Sequence, residues 1–437
     1  MSARISNRLL SLSTLLLCVS FAAQGQANSG YSPYSIFGVG DLSRQGTAYN
    51  RTMGGVGVAT RNNRFINIMN PAAVTARDSL AFMADFSLYG DNKIFKQEGV
   101  KSVNNVFNIN DCVISFPLWS TSAMMLGISP YSDTGFGYSF DYTDPDVIGR
   151  TGNISYSASG SGSIYKFFTA AGITFWDRLS LGAEFDYYFG NLSKSFSTSL
   201  TDNSYNSISS STSLQTNAIG GKFGLQYEQR LSSKLKLVVG ATYSTGATMK
   251  GYYEELALSG SSAAVDTLYH KSDTLGSSRN IRLASEIGAG FSLRYGDKWM
   301  LAFDYTRSDW RNSGIENISV FTTSSSPFAT SLSEAYRLGF ELVPNRNDIR
   351  YYFNNVTYRA GAYYKKENFL LNGKQISSTG ITLGVTLPIY RWYNGLTLGV
   401  ELGQRGSLSD GLIRERYFNF SIGVNIFDIW FQQPHYE

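Results

Sequence analysis

Leu179-Ser180-Leu181-Gly182-Ala183-Glu184-Phe185-Asp186-Tyr187-Tyr188-Phe189-Gly190 alternates apolar with polar or small residues along almost its whole length. Side chains of a β-strand point to opposite faces with period two, so this stretch presents one apolar and one polar face. Similar stretches recur from Leu80 to Phe427, joined alternately by tight turns and long polar segments. A soluble sheet also alternates in this way, with its apolar face in a core. Behind a secretory leader, the turn-and-loop alternation predicts an all-β protein, a transmembrane antiparallel β-barrel.

Counting the stretches gives about 14 strands, an even number, as expected when both termini lie on the periplasmic side. The count keeps Asn153–Phe175 as one strand and assigns residues 80–427 to the barrel. Apolar side chains at Phe185, Phe303, Leu383 and Ile422 are expected to face lipid. Polar stretches are expected to be extracellular loops; they are residues 90–107, 132–149, 196–213, 254–277 and 311–331.

The N-terminus has the composition of a signal peptide. Arg4 and Arg8 precede an apolar run, Leu9 to Ala23, that is too short for an ordinary transmembrane helix. Small residues at 23–25 predict cleavage after Gly25, which makes 1–25 the signal peptide. Cys18 is a weak candidate for lipidation, because Leu17 precedes it where that processing needs a small residue. Cleavage leaves one cysteine, Cys112, which excludes an intramolecular disulfide.

Composition argues against several classes of function. The formal charge of +4 is small, and its Lys and Arg residues are scattered, so nucleic acid is not an expected partner. Only His270 and His435 are present, no phosphate-binding loop occurs, and we expect no enzyme, no metal and no cofactor. Charged residues on the polar faces, such as Asp85 and Asp304, fit a lumen network better than the rim of a hydrolase.

Residues 26–79 do not have strand periodicity. Glycine recurs at 38, 40, 46, 54, 55 and 57, and Pro33 and Pro71 interrupt regular structure. A segment of this kind is expected to fold back into the lumen as a plug. Residues 428–437 follow the last strand and are expected to form a periplasmic tail.

This N-terminal segment carries the most specific motif. Met53-Gly54-Gly55-Val56-Gly57-Val58-Ala59, followed by Asn70-Pro71-Ala72-Ala73, resembles the hatch of FadL-type outer-membrane transporters of hydrophobic compounds. Residues 32–42 resemble the version found in Bacteroidetes members. The resemblance implies a hatch motif at Gly54, Gly55, Asn70, Pro71 and Ala72. Ala73 departs from it, because the family usually has glycine there.

The resemblance implies passive, hatch-gated uptake of a hydrophobic small molecule across the outer membrane, with outer-membrane lipid and that ligand as partners. Apolar residues in the glycine-rich segment either line a ligand pocket or anchor the plug; they are Phe37, Met53, Phe65, Ile66, Ile68 and Met69. The alternative is a non-transporting accessory or scaffold barrel, with other subunits of an outer-membrane assembly or protein-secretion complex as partners. The sequence does not choose between them.

Lateral exit of a ligand into the bilayer requires a strand with a locally broken ladder. Pro117 and Pro130 bracket the third predicted strand, and Gly127 lacks a side chain on its inner face. The family resembled here has its lateral gap in this strand, which makes these three residues the candidate gate. The alternative is that the prolines only mark the two ends of the strand.

Overall fold

The computed structural model describes residues 30–78, 80–97, 99–142, 144–200, 206–260, 265–275, 280–318, 327–390, 394–409 and 411–429. The predicted signal peptide, Cys18 and residues 430–437 of the predicted tail lie outside these ranges.

Fourteen antiparallel strands form one closed ring, which confirms the predicted fold class and strand count. The ring closes where β14 pairs with β1, from Ala81 opposite Ile429 to Lys96 opposite Arg414. The strands are β1 (Ala81–Gln97), β2 (Val100–Trp119), β3 (Ser122–Asp133 and Phe136–Asp141), β4 (Ile154–Phe175), β5 (Leu179–Leu200), β6 (Ser207–Arg230), β7 (Leu235–Ser244, Ala247–Thr248 and Lys250–Gly260), β8 (Val265–Leu275, Arg282–Leu283 and Glu286–Tyr295), β9 (Trp299–Asp309), β10 (Phe328–Thr330 and Leu332–Leu342), β11 (Thr357–Leu371), β12 (Lys374–Tyr390), β13 (Asn394–Arg405) and β14 (Arg414–Ile429).

Helical structure is limited to short segments. Three are α-helical, α1 (Ala48–Arg51), α2 (Pro145–Thr151) and α3 (Tyr352–Asn355), and Pro33–Ile36, Pro71–Thr75 and Ile315–Ile318 are single 3₁₀ turns. A two-residue strand, Asp41–Leu42, pairs with the Ser132–Asp133 end of β3. Among the described residues, no helix has the length and apolar character needed to cross a membrane.

The polar face of each strand points into the ring, and the apolar face points outward. In β5, Glu184 and Asp186 are buried, whereas Leu181, Phe185 and Tyr187 on the other face are 39%, 47% and 37% exposed. A soluble sheet buries the apolar face instead, so the outer belt of this ring is suited to lipid.

Most strands are joined by tight connections at one end of the ring, which we call the turn end. Trp176 and Asp177, between β4 and β5, make one such turn with positive φ at both residues. The opposite end, the loop end, includes the hairpin turn at Asn372-Gly373, where φ is +53° and +72°. Positive φ at both central residues is the geometry that Asn-Gly favours in a two-residue hairpin.

Several segments expected to be loops are strands, and those expectations were wrong. β1 continues to Gln97 and β2 begins at Val100, β5 reaches Leu200, and Lys250–Gly260 pairs with Val265–Leu275. Above the apolar belt both faces of a strand meet water, so the alternation that marks a strand is lost there although the ladder continues. Cross-strand hydroxyl pairs, such as Ser157 with Ser197 at 2.8 Å, stabilise this region.

The outward direction of Leu383 gives a test of the membrane belt. Replacing Leu383, which is 58% exposed in the middle of β12, with Arg should destabilise the folded barrel in lipid vesicles by about 2–4 kcal/mol, because a cation would enter hydrocarbon. The measurement is reversible unfolding in guanidinium chloride. Ile208→Arg, at the loop end of β6, is the matched control, for which we expect about 0–1 kcal/mol. Equal costs at the two positions would contradict the placement of the belt.

Candidate functional site

Residues 30–78 pass through the ring from the loop end to the turn end. At the loop end, Ser32 N–H donates to Gly135 O at 2.8 Å, and the Tyr34 hydroxyl donates to Ile413 O at 2.5 Å. At the turn end, Arg77 Nη1 donates to Ala81 O, at the start of β1, at 3.3 Å. Between these points the segment contacts inward-facing residues around the ring, so it occupies the lumen.

Buried polar side chains of the wall bind the backbone of this segment. The Asp304 carboxylate of β9 accepts from the N–H of Gly57 at 2.6 Å and of Val58 at 2.8 Å. Thr382 of β12 accepts from Gly54 N–H at 2.8 Å. Gln226 of β6 donates to Val58 O at 2.9 Å. Irregular backbone away from water needs such partners, and a hydrogen bond to a charged group contributes about 1.5–3 kcal/mol.

Glycines on the inner face of the wall let the segment lie directly on the strands. A Cβ at Gly361 of β11 would overlap the backbone of Gly54, and one at Gly240 of β7 would overlap Val58 O. Only glycine fits at these two positions of the wall, because any side chain would displace the segment. Inward glycines that meet the segment in the same way are Gly182, Gly224, Gly339, Gly384 and Gly423.

The predicted hatch motif lies at two of these contacts. Gly54 and Gly55 have φ of +69° and +83°, a conformation that favours glycine, and both are near β10 and β11. Asn70 caps the Pro71–Thr75 turn by accepting from Ala72 N–H at 3.0 Å, and its Nδ2 donates to Val58 O at 2.7 Å. Asn70 therefore fastens two parts of the segment to each other.

An aromatic pair of the segment stacks on a wall arginine. The rings of Tyr49 and Phe65 are stacked with centroids 4.9 Å apart, and the Arg359 guanidinium lies 4.7 Å and 4.4 Å from their centroids. Arg359 Nε also donates to the Glu341 carboxylate at 3.0 Å. The cation–π contacts and the ion pair together hold this part of the segment against β10 and β11.

The six apolar candidates do not form one pocket. Met53 and Phe65 pack with Tyr49 and Met300, whereas Phe37 stacks on Phe328 near the loop end with centroids 5.0 Å apart. Ile66 and Ile68 pack in a third cluster, which also contains Val113, Met125 and Phe168. Met69 lines the central cavity, and Phe65 lines a separate cavity of only about 20 Å³. This placement favours the alternative in which they anchor the segment.

The central cavity of the lumen is lined by both charged and apolar side chains. It has a volume of about 180 Å³ and lies beside Met69 and the Gly54-Gly55 bend. Its wall contains a tight ion cluster, in which Lys166 Nζ lies 3.0 Å from Glu184 Oε1 and 3.4 Å from Asp186 Oδ1. Further charged residues around it are Arg44, Arg51, Lys222, Glu286, Arg337 and Lys365. Among the described residues, no group of three or more His, Cys, Asp and Glu side chains could hold a metal ion.

The wall at the candidate gate is paired on both sides only as far as Ile128. Residues Met124 to Ile128 of β3 pair without interruption with β2 on one side and with β4 on the other. Pro117 lies at the turn end, whereas Pro130 lies within β3 at a register shift with β4. Gly127 leaves no open space, because an added Cβ would lie 2.8 Å from the Phe168 ring. In the described residues the β2–β3 pairing ends at Cys112 opposite Ile128, and beyond it Ser132 and Asp133 pair with Asp41–Leu42 instead of β2, so the ladder between β2 and β3 is interrupted beside Pro130.

Lys194 fixes the first part of the segment at the loop end. Its Nζ donates to Ile36 O at 2.6 Å and to Gly38 O at 2.9 Å. It is the sixteenth residue of β5, which at about 3.3 Å per residue and a tilt of about 45° lies some 35 Å from the turn end, above an apolar band about 25 Å tall. Burial lowers the pKa of Lys194 to about 7, because desolvation disfavours the charged form.

The sequence placed Asp304 in a luminal network expected to hold the hatch, but the glycine contacts were not foreseen from it. The available signal was the position of the wall glycines. Gly182, Gly224, Gly361, Gly384 and Gly423 all fall on the polar stripe of their strands, where a barrel without luminal contents would carry polar side chains.

Gly361 and its neighbour Ala360 provide a matched test of the contact with the segment. Gly361→Leu should push Gly54 off the wall and raise single-channel conductance in planar bilayers, because the side chain needs the space that the segment occupies. Ala360→Leu adds the same side chain on the lipid face and should leave conductance unchanged. Heat-modifiable migration on gels confirms folding of both variants. Equal conductance in the two variants would contradict the proposed contact.

The low pKa of Lys194 predicts a pH dependence. The unfolded chain, with a lysine pKa near 10.4, binds this proton between about pH 7 and pH 10, whereas the folded chain has released it. The free energy of unfolding should therefore rise with pH in that window, by at most about 1.4 kcal/mol per pH unit, and Lys194 should contribute no slope below pH 6. Urea unfolding of wild type and Lys194→Met measures the difference. An identical slope in both proteins would refute the prediction.

Solved structures with the same barrel include two toluene transporters and a FadL homologue. The Ralstonia pickettii toluene transporter TbuX is 16% identical, with a TM-score of 0.58 over 87% of this chain and 97% of that one. The Pseudomonas putida toluene transporter TodX is 16% identical, with a TM-score of 0.55 over 90% and 99%. A Pseudomonas aeruginosa FadL homologue is 11% identical, with a TM-score of 0.52 over 89% and 98%. The chain therefore has the FadL-type fold that the resemblance implied.

Comparison with curated proteins gives no match. A protein-family model does match, and it spans residues 6–437, which is nearly the entire sequence. That model carries the description BamG, a name that differs from those of the channels sharing the fold. By this match, the chain is a member of the BamG family.

Proposed function

We propose that this chain is an integral outer-membrane barrel that does not conduct solutes and acts as an accessory subunit of an outer-membrane assembly. The observation that carries the proposal is the attachment of the luminal segment, which buried hydrogen bonds from the wall hold inside the barrel.

The outer belt and the unequal strands support a membrane position. A tilted strand needs about 9–11 residues to cross the hydrocarbon core, but β4, β5 and β6 have 22, 22 and 24 residues. Tight turns lie on the periplasmic side of such barrels, so the loop end is extracellular and these three strands rise well above the membrane. The tall wall offers a surface for contacts outside the bilayer.

The loop end is closed by apolar packing. Val39 of the luminal segment packs in a cluster with Ile164, Tyr253, Ile281 and Trp310, all at most 3% exposed. Phe37 stacks on Phe328 in a second cluster nearby. A solute entering from outside would have to open these clusters before it reached the lumen.

Displacing the segment costs more free energy than burial of a small apolar solute in the lumen could supply. The two bonds from Gly57 and Val58 to Asp304 alone contribute about 3–6 kcal/mol by the range for bonds to charged groups. Burial of a solute stabilises only in proportion to the apolar area removed from water, and the central cavity has a volume of only about 180 Å³ and eight charged side chains in its lining. These terms favour a structural role for the barrel.

Hatch-gated uptake of a hydrophobic compound is the second candidate, and the barrel shared with two toluene transporters favours it. In this candidate the segment moves to open a path, and lateral exit would use a part of the wall other than Met124 to Ile128. The central cavity beside Met69 would be the resting place of the ligand.

Two measurements on the same preparation separate the candidates. The accessory role predicts that the barrel, extracted in mild detergent, migrates on native gels in a complex much larger than its own mass, and that vesicles containing the purified barrel take up toluene no faster than empty vesicles. A barrel that migrates alone contradicts the accessory role. Saturable toluene uptake, abolished by cross-linking the segment to the wall, would establish transport instead.

A further inference from the structure

The turn end of the barrel is strongly basic. Its described segments are residues 61–78, 117–122, 175–179, 228–236, 294–299, 343–356 and 427–429, and they contain eleven Lys and Arg residues against six Asp and Glu residues. The whole chain has 37 Lys and Arg residues against 33 Asp and Glu residues. This one face therefore has a greater excess of positive charge than the complete sequence. The excess creates a positive potential over the periplasmic mouth.

Five of the cations on the strand connections have no carboxylate within 4.0 Å in the described part of the chain. They stand on four successive turns, from β4–β5 to β10–β11, so they line one side of the mouth. The five are Arg178, Arg230, Lys234, Lys298 and Arg350. Surface cations without intramolecular partners are free to pair with an acidic surface.

A concavity of about 500 Å³ opens at this mouth between the luminal segment and the wall. Arg61 and Arg77 of the segment form one side, and Lys236 of β7 and Arg294 of β8 form the other. Its carboxylates are Glu228, which pairs with Lys236 at 2.9 Å, and Asp297 on the rim. A group bound here would touch both the segment and the wall.

An apolar projection borders the concavity. The connection between β10 and β11 is unusually long for this end, and Arg346 within it reaches Asp297 on the rim at 3.9 Å. Beyond Arg346 it exposes Ile349, Tyr351 and Phe353, which are 94%, 67% and 72% exposed. Exposed apolar and aromatic side chains beside charged groups are the composition of a protein-binding surface.

We propose that this turn-end face docks an acidic segment of a periplasmic protein, which enters the basic concavity and packs beside the apolar projection. The inference rests on the proposed accessory role and names the chemistry of one partner. Arg61, Arg77 and Arg294 lie inside the mouth, within the ring, where the headgroups of the surrounding lipid do not reach. This position favours a protein over the membrane surface as the acidic occupant.

Binding of decaglutamate peptide to the full-length barrel in zwitterionic nanodiscs tests the charge complementarity. We expect saturable binding that weakens as salt rises, because exposed charges are screened. The triple variant Arg230→Glu, Lys234→Glu and Lys298→Glu should weaken it at least tenfold. The matched control, Lys96→Glu, Lys101→Glu and Lys374→Glu, reverses three exposed loop-end cations and should leave affinity within twofold of wild type.

A fluorophore locates the bound peptide. In a Cys112→Ser background, an environment-sensitive label on Asp297→Cys, at the rim of the concavity, should change its emission when decaglutamate binds. The same label on Lys374→Cys, at the loop end, should not respond. Equal responses at the two labels would contradict binding in the concavity.

The remaining outcomes each have a defined meaning. Absent binding, or equal loss in the two triple variants, overturns the docking proposal. If the barrel binds anionic phospholipid in mixed nanodiscs but does not bind decaglutamate, the turn-end face is a lipid-binding surface. That result also overturns the proposal. On native gels, a wild-type barrel that migrates alone refutes the accessory role itself. A wild-type complex whose composition survives the turn-end reversal refutes only this docking surface, whereas loss of one periplasmic component supports it.

Discussion

A backbone that is neither helix nor strand can lie inside a barrel only when the wall satisfies its N–H and C=O groups. In this protein Asp304 meets that requirement for two successive amides, Gly57 and Val58. Gly361 and Gly240 meet a second requirement, since they remove the side chains that would keep the segment away from the strands. The wall is therefore built around its contents, and these contacts hold the segment inside the lumen.

The sequence predicted the barrel, its even strand number and the direction of its faces, because alternation along strands such as β5 depends only on local geometry and lipid. It failed where that physical signal disappears. Strand ends such as residues 254–260 lie above the belt, and they were assigned to loops because neither face is apolar throughout. The sequence left the role of the apolar candidates open for another reason: Phe37, Phe65 and Ile68 look alike in sequence, and only the path of the segment separates them into three clusters.

A fold shared with toluene channels leaves function to be argued from the interior. The interior here has a charged central cavity, a continuous ladder from Met124 to Ile128, and apolar packing at the loop end. Each of these features favours a stable barrel interior over the passage of a solute through it. The exposed features lie elsewhere, on the tall extracellular wall and at the basic turn end, which is where an accessory subunit would make its contacts.

Hydrogen exchange at the amides of Gly57 and Val58 tests the central claim most directly. If both are bound to buried Asp304 in a locked segment, they should exchange as slowly as ladder amides of β9 in the folded barrel, and Asp304→Ala should accelerate them while the β9 amides stay protected. Exchange of these two amides within seconds in the wild-type barrel would contradict the account, because the segment would then move freely inside an intact wall.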